Sequence, residues 1–142
     1  MHGEIENKEK CKLIVSTNNN ILEIKISGQL TEFTAEQLLK DILLLAKEPA
    51  YRNYLFDFRS LYGTLGIRSS YFFIQNFSFE RSKNIAIVAK KENENYYYFI
   101  QTVAYNRGMN LRYFDLIEEA KEWLEEEHLR ALMQGTNKYL IP

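Results

Sequence analysis

Between Ile21 and Ser27 apolar and polar residues alternate: Leu22, Ile24 and Ile26 fall on one side, Glu23, Lys25 and Ser27 on the other. A period of two with one wet face predicts a strand in an antiparallel pairing or hairpin. Lys12–Ser16 is a second strand just before it, and Thr17–Asn20 reads as the turn, because asparagine tolerates left-handed φ and bonds locally. Two other runs show no alternation. Tyr54–Phe58 and Asn84–Ala89 are almost wholly apolar, the pattern of strands covered on both faces. Leu111–Phe114 predicts a last, short strand.

The segments between these runs carry a helical period. Thr34-Ala35-Glu36-Gln37 has the form of a capping box, with Phe33 and Leu38 at the positions of a hydrophobic staple. Leu38, Leu39, Ile42, Leu43, Leu45 and Ala46 then make a broad apolar stripe, and Pro49 ends the helix. A second helix is expected from about Arg68–Ser70 to Phe77. A third runs from Tyr96 to Asn106, with Phe99, Ile100 and Val103 toward the sheet and Gly108 as its C-terminal cap. A fourth is capped by Asp115, with Glu118 at its third position and Ile117, Ala120, Trp123 and Leu124 as its inner stripe. Leu129–Pro142 either extends this helix or wraps the domain. Strand–helix alternation implies parallel neighbours joined by right-handed crossovers. The reading is therefore an α/β fold: one domain over residues 1–142, with a mixed, mostly parallel five-stranded sheet and about four helices. Its core spans about residues 12–127, with 128–142 as a C-terminal extension.

Composition removes many functions. With 18 basic against 19 acidic residues there is no broad positive field for nucleic acid. No apolar run approaches the ~18 residues that span a bilayer, and Met1–Lys10 lacks the apolar centre of a signal peptide, so a cytoplasmic protein is expected. One cysteine and two histidines leave no intrachain disulfide and argue against a Cys- or His-based metal site. Phosphate-cradling loops, HExxH, GxSxG and CxxC are missing, and Gly63 and Gly66 lie in the wrong context for a nucleotide motif. No cofactor and no catalytic residue is predicted.

Three candidate sites remain. Asp57 closes a buried strand, where open α/β sheets gather function; it is either a ligand anchor or a structural carboxylate paired with Arg59 or Arg68. Arg68, Ser69 and Ser70 stand at the start of the second helix, where serines either cap the helix or meet an anion, with Arg68 adding charge. The third is a surplus of rings. Phe72, Phe73, Phe77 and Phe79 cannot all point inward from one short helix, nor can Tyr96, Tyr97, Tyr98, Phe99 and Tyr105. The uncovered patch is expected to hold Tyr98, Tyr105 and one of Phe72 or Phe73, as an interface or an apolar pocket. The run Glu125–Glu127 reads as a solvated helix face.

Four fragments in this order, ISGQLT at Ile26–Thr31, LFDF at Leu55–Phe58, IAIVA at Ile85–Ala89 and LRYFDLIEEAKEWL at Leu111–Leu124, resemble the SpoIIAA-like family. That family has the STAS-like fold of anti-sigma-factor antagonists, with CRAL-TRIO-like relatives. The resemblance implies a small bacterial cytosolic domain whose wider relatives bind proteins, nucleotides or lipids. Antagonist members carry a regulatory serine in an Asp-Ser-Ser-Gly-like motif that opens a helix. Here the comparable place reads Gly66-Ile67-Arg68-Ser69-Ser70-Tyr71, with the serines present and both flanking residues changed, so a phosphorylation switch of this type is not expected. The functional expectation is a non-catalytic regulatory domain that binds a protein partner, or itself, through aromatic helix surfaces. A carrier for a small apolar ligand or lipid is the alternative.

Overall fold

The computed structural model describes residues 11–46, 51–76 and 83–140, with side chains for 11–45, 51–76 and 83–134. Five strands form one sheet: β1 (Lys12–Asn18), β2 (Ile21–Gln29), β3 (Asn53–Tyr62), β4 (Asn84–Val88) and β5 (Asn110–Phe114). Their order in space is their order in sequence; β1 runs antiparallel to β2, and all later neighbours are parallel. The helices are α1 (Glu32–Ala46), α2 (Ile67–Asn76), α3 (Glu94–Asn106) and α4 (Ile117–Leu140).

This topology dictates the layers. Each crossover from β2 to β5 steps in the same direction, and crossovers of one hand that step one way leave their helices on one face. Accordingly Leu38 and Ile42 of α1, Ile74 of α2 and Ile100 and Val103 of α3 share a core with Ile24, Tyr54, Phe56, Ile85 and Leu111. The residues one position along each strand, Leu55, Ala86 and Val88, point the other way and meet Ala120 and Leu124 of α4. Burial on both faces is why β3 and β4 read as unbroken apolar runs.

Local chemistry sets the ends. In the β1–β2 turn Asn19 takes φ +56°, a conformation asparagine adopts more readily than most residues. At α1 the capping residue is Thr31, three residues earlier than the sequence pattern suggests. Thr31 Oγ1 accepts from the Thr34 amide at 3.1 Å, and Thr34 Oγ1 accepts from the Thr31 amide at 2.8 Å. Thr34 Oγ1 also donates to the Gln29 carbonyl at 2.7 Å, so the end of β2 selects the register of the cap. Leu30 and Ala35, both buried, occupy the staple positions. At the end of α3 the Gly108 amide donates to Tyr105 O and the Met109 amide to Ala104 O, both at 3.0 Å, with Gly108 at φ +78°. This is the Schellman arrangement that the glycine predicts. The last helix begins at Ile117, two residues beyond the expected cap Asp115, and continues through the tail to Leu140. Pro49, Phe77 and Phe79, which figured in the sequence reading, lie outside the described residues.

β3 extends to Tyr62, past its predicted end, and carries a bulge. Its pairing with β2 advances from Lys25↔Asp57 to Ser27↔Ser60, so β3 spends one extra residue there. The extra residue flips the alternation: Tyr54 and Phe56 face the three-helix core from even positions, and Leu61 reaches the same core from an odd one.

Candidate functional site

The sequence candidates separate onto three surfaces. Asp57 lies at the bulge with its side chain on the α4 face. It is almost fully buried and is gripped by Arg59: Nε to Oδ1 2.9 Å, Nη2 to Oδ2 2.8 Å, and the Arg59 amide to Oδ1 3.1 Å. Burial alone raises the pKa of a carboxyl; here the bonds and charge of Arg59, with Lys25 adding to them, outweigh it and hold Asp57 below the ordinary carboxylate range. A two-point fork of this kind satisfies both oxygens. Of the two readings the sequence left open, the geometry is that of the structural pair with Arg59, and Arg68 takes no part.

The second surface is α2. Ser69 and Ser70 sit inside its first turn rather than at its cap, and the Ser70 amide already donates to Gly66 O at 2.9 Å. Ser70 is 1% exposed and shares a hydrogen bond of 2.8 Å with the Tyr96 hydroxyl on α3. Burial, tempered by that bond and one to the Leu65 backbone, raises the Tyr96 pKa. Ser69 donates to Glu32 Oε1 at 2.8 Å. Across this link runs a groove of about 380 Å³ between α1 and α2, walled by Glu32, Glu36 and Leu39 on one side and Arg68, Phe72 and Phe73 on the other. Phe72 is 63% exposed, and Ile67 and Tyr71 beside it also face outward. Phe73 turns inward and packs against the core.

Phe73 and Ser70 also line an apolar cavity of about 60 Å³ under the three helices, together with Phe56, Phe58, Tyr97 and Ile100. Its wall is a file of rings. Phe56 and Phe58 lie 6.0 Å apart, and Tyr97 stacks between Phe58 and Tyr113 at 5.8 Å from each. Burial raises the Tyr97 pKa well above the usual phenol, with Tyr96 and Tyr113 adding to the rise. Burial, with Asp115, Glu94 and Tyr98 nearby, pushes Tyr113 up to about 12. These phenols stay neutral, so the wall carries no charge through the ordinary pH range.

Tyr98 and Tyr105 occupy the third surface, on the outer flank of α3 above β5. Both are exposed, Tyr105 at 77%. Two shallow grooves flank Arg112 there, one lined by Tyr98, Phe114 and Glu119, the other by Tyr105, Met109 and Trp123. Thus Arg68, Ser69, Ser70, Phe72 and Phe73 come together, whereas Asp57, Tyr98 and Tyr105 stand apart from them and, in the case of Asp57, on the opposite face of the sheet. The sequence reading missed Glu32 as the partner of Ser69 and, although it counted Tyr96 among the surplus rings, missed its bond to Ser70. Neither had a signal in the chain, because each contact joins different helices. Among the described residues no three His, Cys, Asp or Glu side chains are placed to share a metal ion, and no helix is long and apolar enough to cross a membrane.

Comparisons with known proteins agree with this architecture. A family model described as SpoIIAA-like matches residues 21–125. A crystal structure of an anti-sigma factor antagonist from Mycobacterium paratuberculosis superposes with a TM-score of 0.61 at 11% identity, covering 82% of this chain and 96% of its own. An uncharacterised Shewanella loihica protein with a SpoIIAA-like fold superposes with a TM-score of 0.51 at 21% identity, covering 81% of this chain and 94% of its own. No curated protein matches the sequence.

Proposed function

The chain belongs to the SpoIIAA-like family, and we propose on that premise that it is a non-catalytic regulatory domain that docks a protein partner on α2. The observation that carries this reading is the groove beside Glu32 and Phe72. It sets exposed Phe72, with Ile67 and Tyr71 outside it on the same helix, against a rim bearing both signs of charge, from Glu32, Glu36 and Arg68. Large side chains over a shallow groove with a charged rim are the usual anatomy of a protein interface. A protein is also the kind of partner that the words anti-sigma factor antagonist imply for the Mycobacterium structure.

A phosphorylation switch at the paired serines has less support. Ser70 is enclosed and bonded to Tyr96, and a phosphate on Ser69 would arrive against Glu32; like charges there repel. The carrier reading is limited by space. The cavity of about 60 Å³ is well below the roughly 300 Å³ at which ligand pockets begin.

A photo-crosslinking residue placed at Phe72 in cells tests the docking surface. One specific protein adduct is expected there, and none at Leu44, an exposed control on α1. An adduct at Leu44 equal to that at Phe72, or none at Phe72, Tyr71 and Ile67, would sink the proposal.

A further inference from the structure

The two edges of the sheet are treated differently. At β5 the Tyr113 amide points outward and is occupied by Gln101 Oε1 at 2.8 Å, α3 lies along the strand, and Arg112 puts a charge beside it. These are the devices that keep an edge from pairing with another chain. β1 has none of them over its central residues. Among the described residues no strand or helix lies along its outer side, and Ile14 and Val15, which point to opposite faces, are 64% and 43% exposed.

The β1–β2 turn fixes which backbone groups are free. Only Asn19 and Asn20 lie between the paired residues Asn18 and Ile21. The closing pair of a two-residue hairpin exchanges both of its hydrogen bonds. Alternation then turns the amides and carbonyls of Lys12, Ile14, Ser16 and Asn18 toward β2, and those of Leu13, Val15 and Thr17 outward.

We propose that β1 pairs antiparallel with β1 of a second copy about a two-fold axis at Val15, joining two sheets into one of ten strands. Val15 is the middle residue of the seven in β1, so this is the one centre that pairs the whole strand. It sets Val15 against Val15, Leu13 against Thr17 and Ile14 against Ser16 of the second copy. The three outward residues of each chain then make six backbone hydrogen bonds. A centre at Ile14 or Ser16 pairs five residues and makes four. The charges also fit. Lys12 falls opposite Asn18 of the second copy, whose amide already points to Glu23 at 3.5 Å, and no like charges meet. On the face that carries α1, α2 and α3 the pairs are Val15, Leu13 and Thr17 alone, without a charge. A second copy meets these conditions because the strand is complementary to itself under that rotation.

Sedimentation velocity of the full chain from about 5 μM to about 1 mM tests this. The expected result is a mass that rises with concentration to that of two chains and stops there. Ile14→Lys, which alters an exposed side chain and sets lysines near each other across the axis, is expected to weaken the association at least tenfold. A cysteine pair then reads the register. In a Cys11→Ser background Val15→Cys is expected to form an interchain disulfide under a mild oxidant, since directly opposed, hydrogen-bonded residues lie about 5.5 Å apart at Cα. Ser16→Cys, whose counterpart is displaced along the strand, is expected to stay reduced. A monomer at every concentration overturns the proposal. So does growth beyond two chains, or a dimer that tolerates Ile14→Lys and in which the Val15→Cys variant stays unlinked.

Discussion

At the scale of single residues, Asp57 ties the sheet to pH. Its carboxyl titrates lower in the folded chain than in the unfolded one, because the gain from Arg59 exceeds the cost of burial. Its contribution is therefore present above the unfolded pKa of about 4 and is lost as pH falls through the folded value. Thermal melts of Asp57→Asn should show a loss of about 1–2 kcal/mol at neutral pH, the range for a charged hydrogen-bonded partner with one solvated member. The deficit should shrink as pH drops below about 4; a constant deficit from pH 7 to 2 would contradict this role. That Asp57 closes the apolar run is legible in the sequence, which also offers Arg59, two residues away, as one of two partners; that the strand runs on past it to Tyr62 is not. Its separation from Ser70 is partly legible as well: alternation sets Asp57 opposite to Tyr54 and Phe56. The face on which α2 lands depends on how every crossover steps, which no single residue encodes.

At the scale of elements, a polar row fixes how the parallel strands start. Asn53, Asn84 and Asn110 are in register on β3, β4 and β5. Asn84 Nδ2 donates to Asn53 Oδ1 at 2.9 Å, and Asn110 Nδ2 donates to Asn84 Oδ1 at 2.7 Å. A slip of one residue would turn each strand over and bury the wrong face; it would also strand these amides. Asn84→Ala leaves Asn53 and Asn110 each short of a partner and should cost about 2–3 kcal/mol by denaturant melts. Replacing all three by valine removes donors and acceptors together and should cost less than the single change; the reverse order would show that the row does not act as a unit. The strands themselves were legible because apolar runs enclosed on two faces differ from alternating ones. The α1 cap was misplaced because two threonine-headed boxes overlap, Thr31–Thr34 and Thr34–Gln37. The contact that decides between them, Thr34 with Gln29 O, comes from the preceding strand. The bulge at Phe58–Arg59 leaves no turn residue in the sequence to announce it.

At the scale of the whole molecule, the proposed partner surface and the proposed self-pairing edge sit on different elements, with α1 and β2 between α2 and β1. The sequence pointed to rings as the source of any interface, and Tyr71 and Phe72 lie on the exposed side of α2 beside Ile67 and Arg68. It gave less warning of β1. Adjacent Ile14 and Val15 at the start of a hairpin put apolar groups on both faces of a strand, but only the completed sheet order shows that nothing described covers its outer edge. Changes at sites with no shared contacts act additively, within about 0.5 kcal/mol. With the photo-crosslinking residue moved to Tyr71, Phe72→Glu should therefore abolish the crosslinked partner and leave the concentration dependence of the mass unchanged. Ile14→Lys should do the opposite, and the double variant should show both losses without excess. Partner capture that fails in Ile14→Lys while α2 is intact would mean that the groove is completed by the second chain, and the two surfaces would have to be read as one.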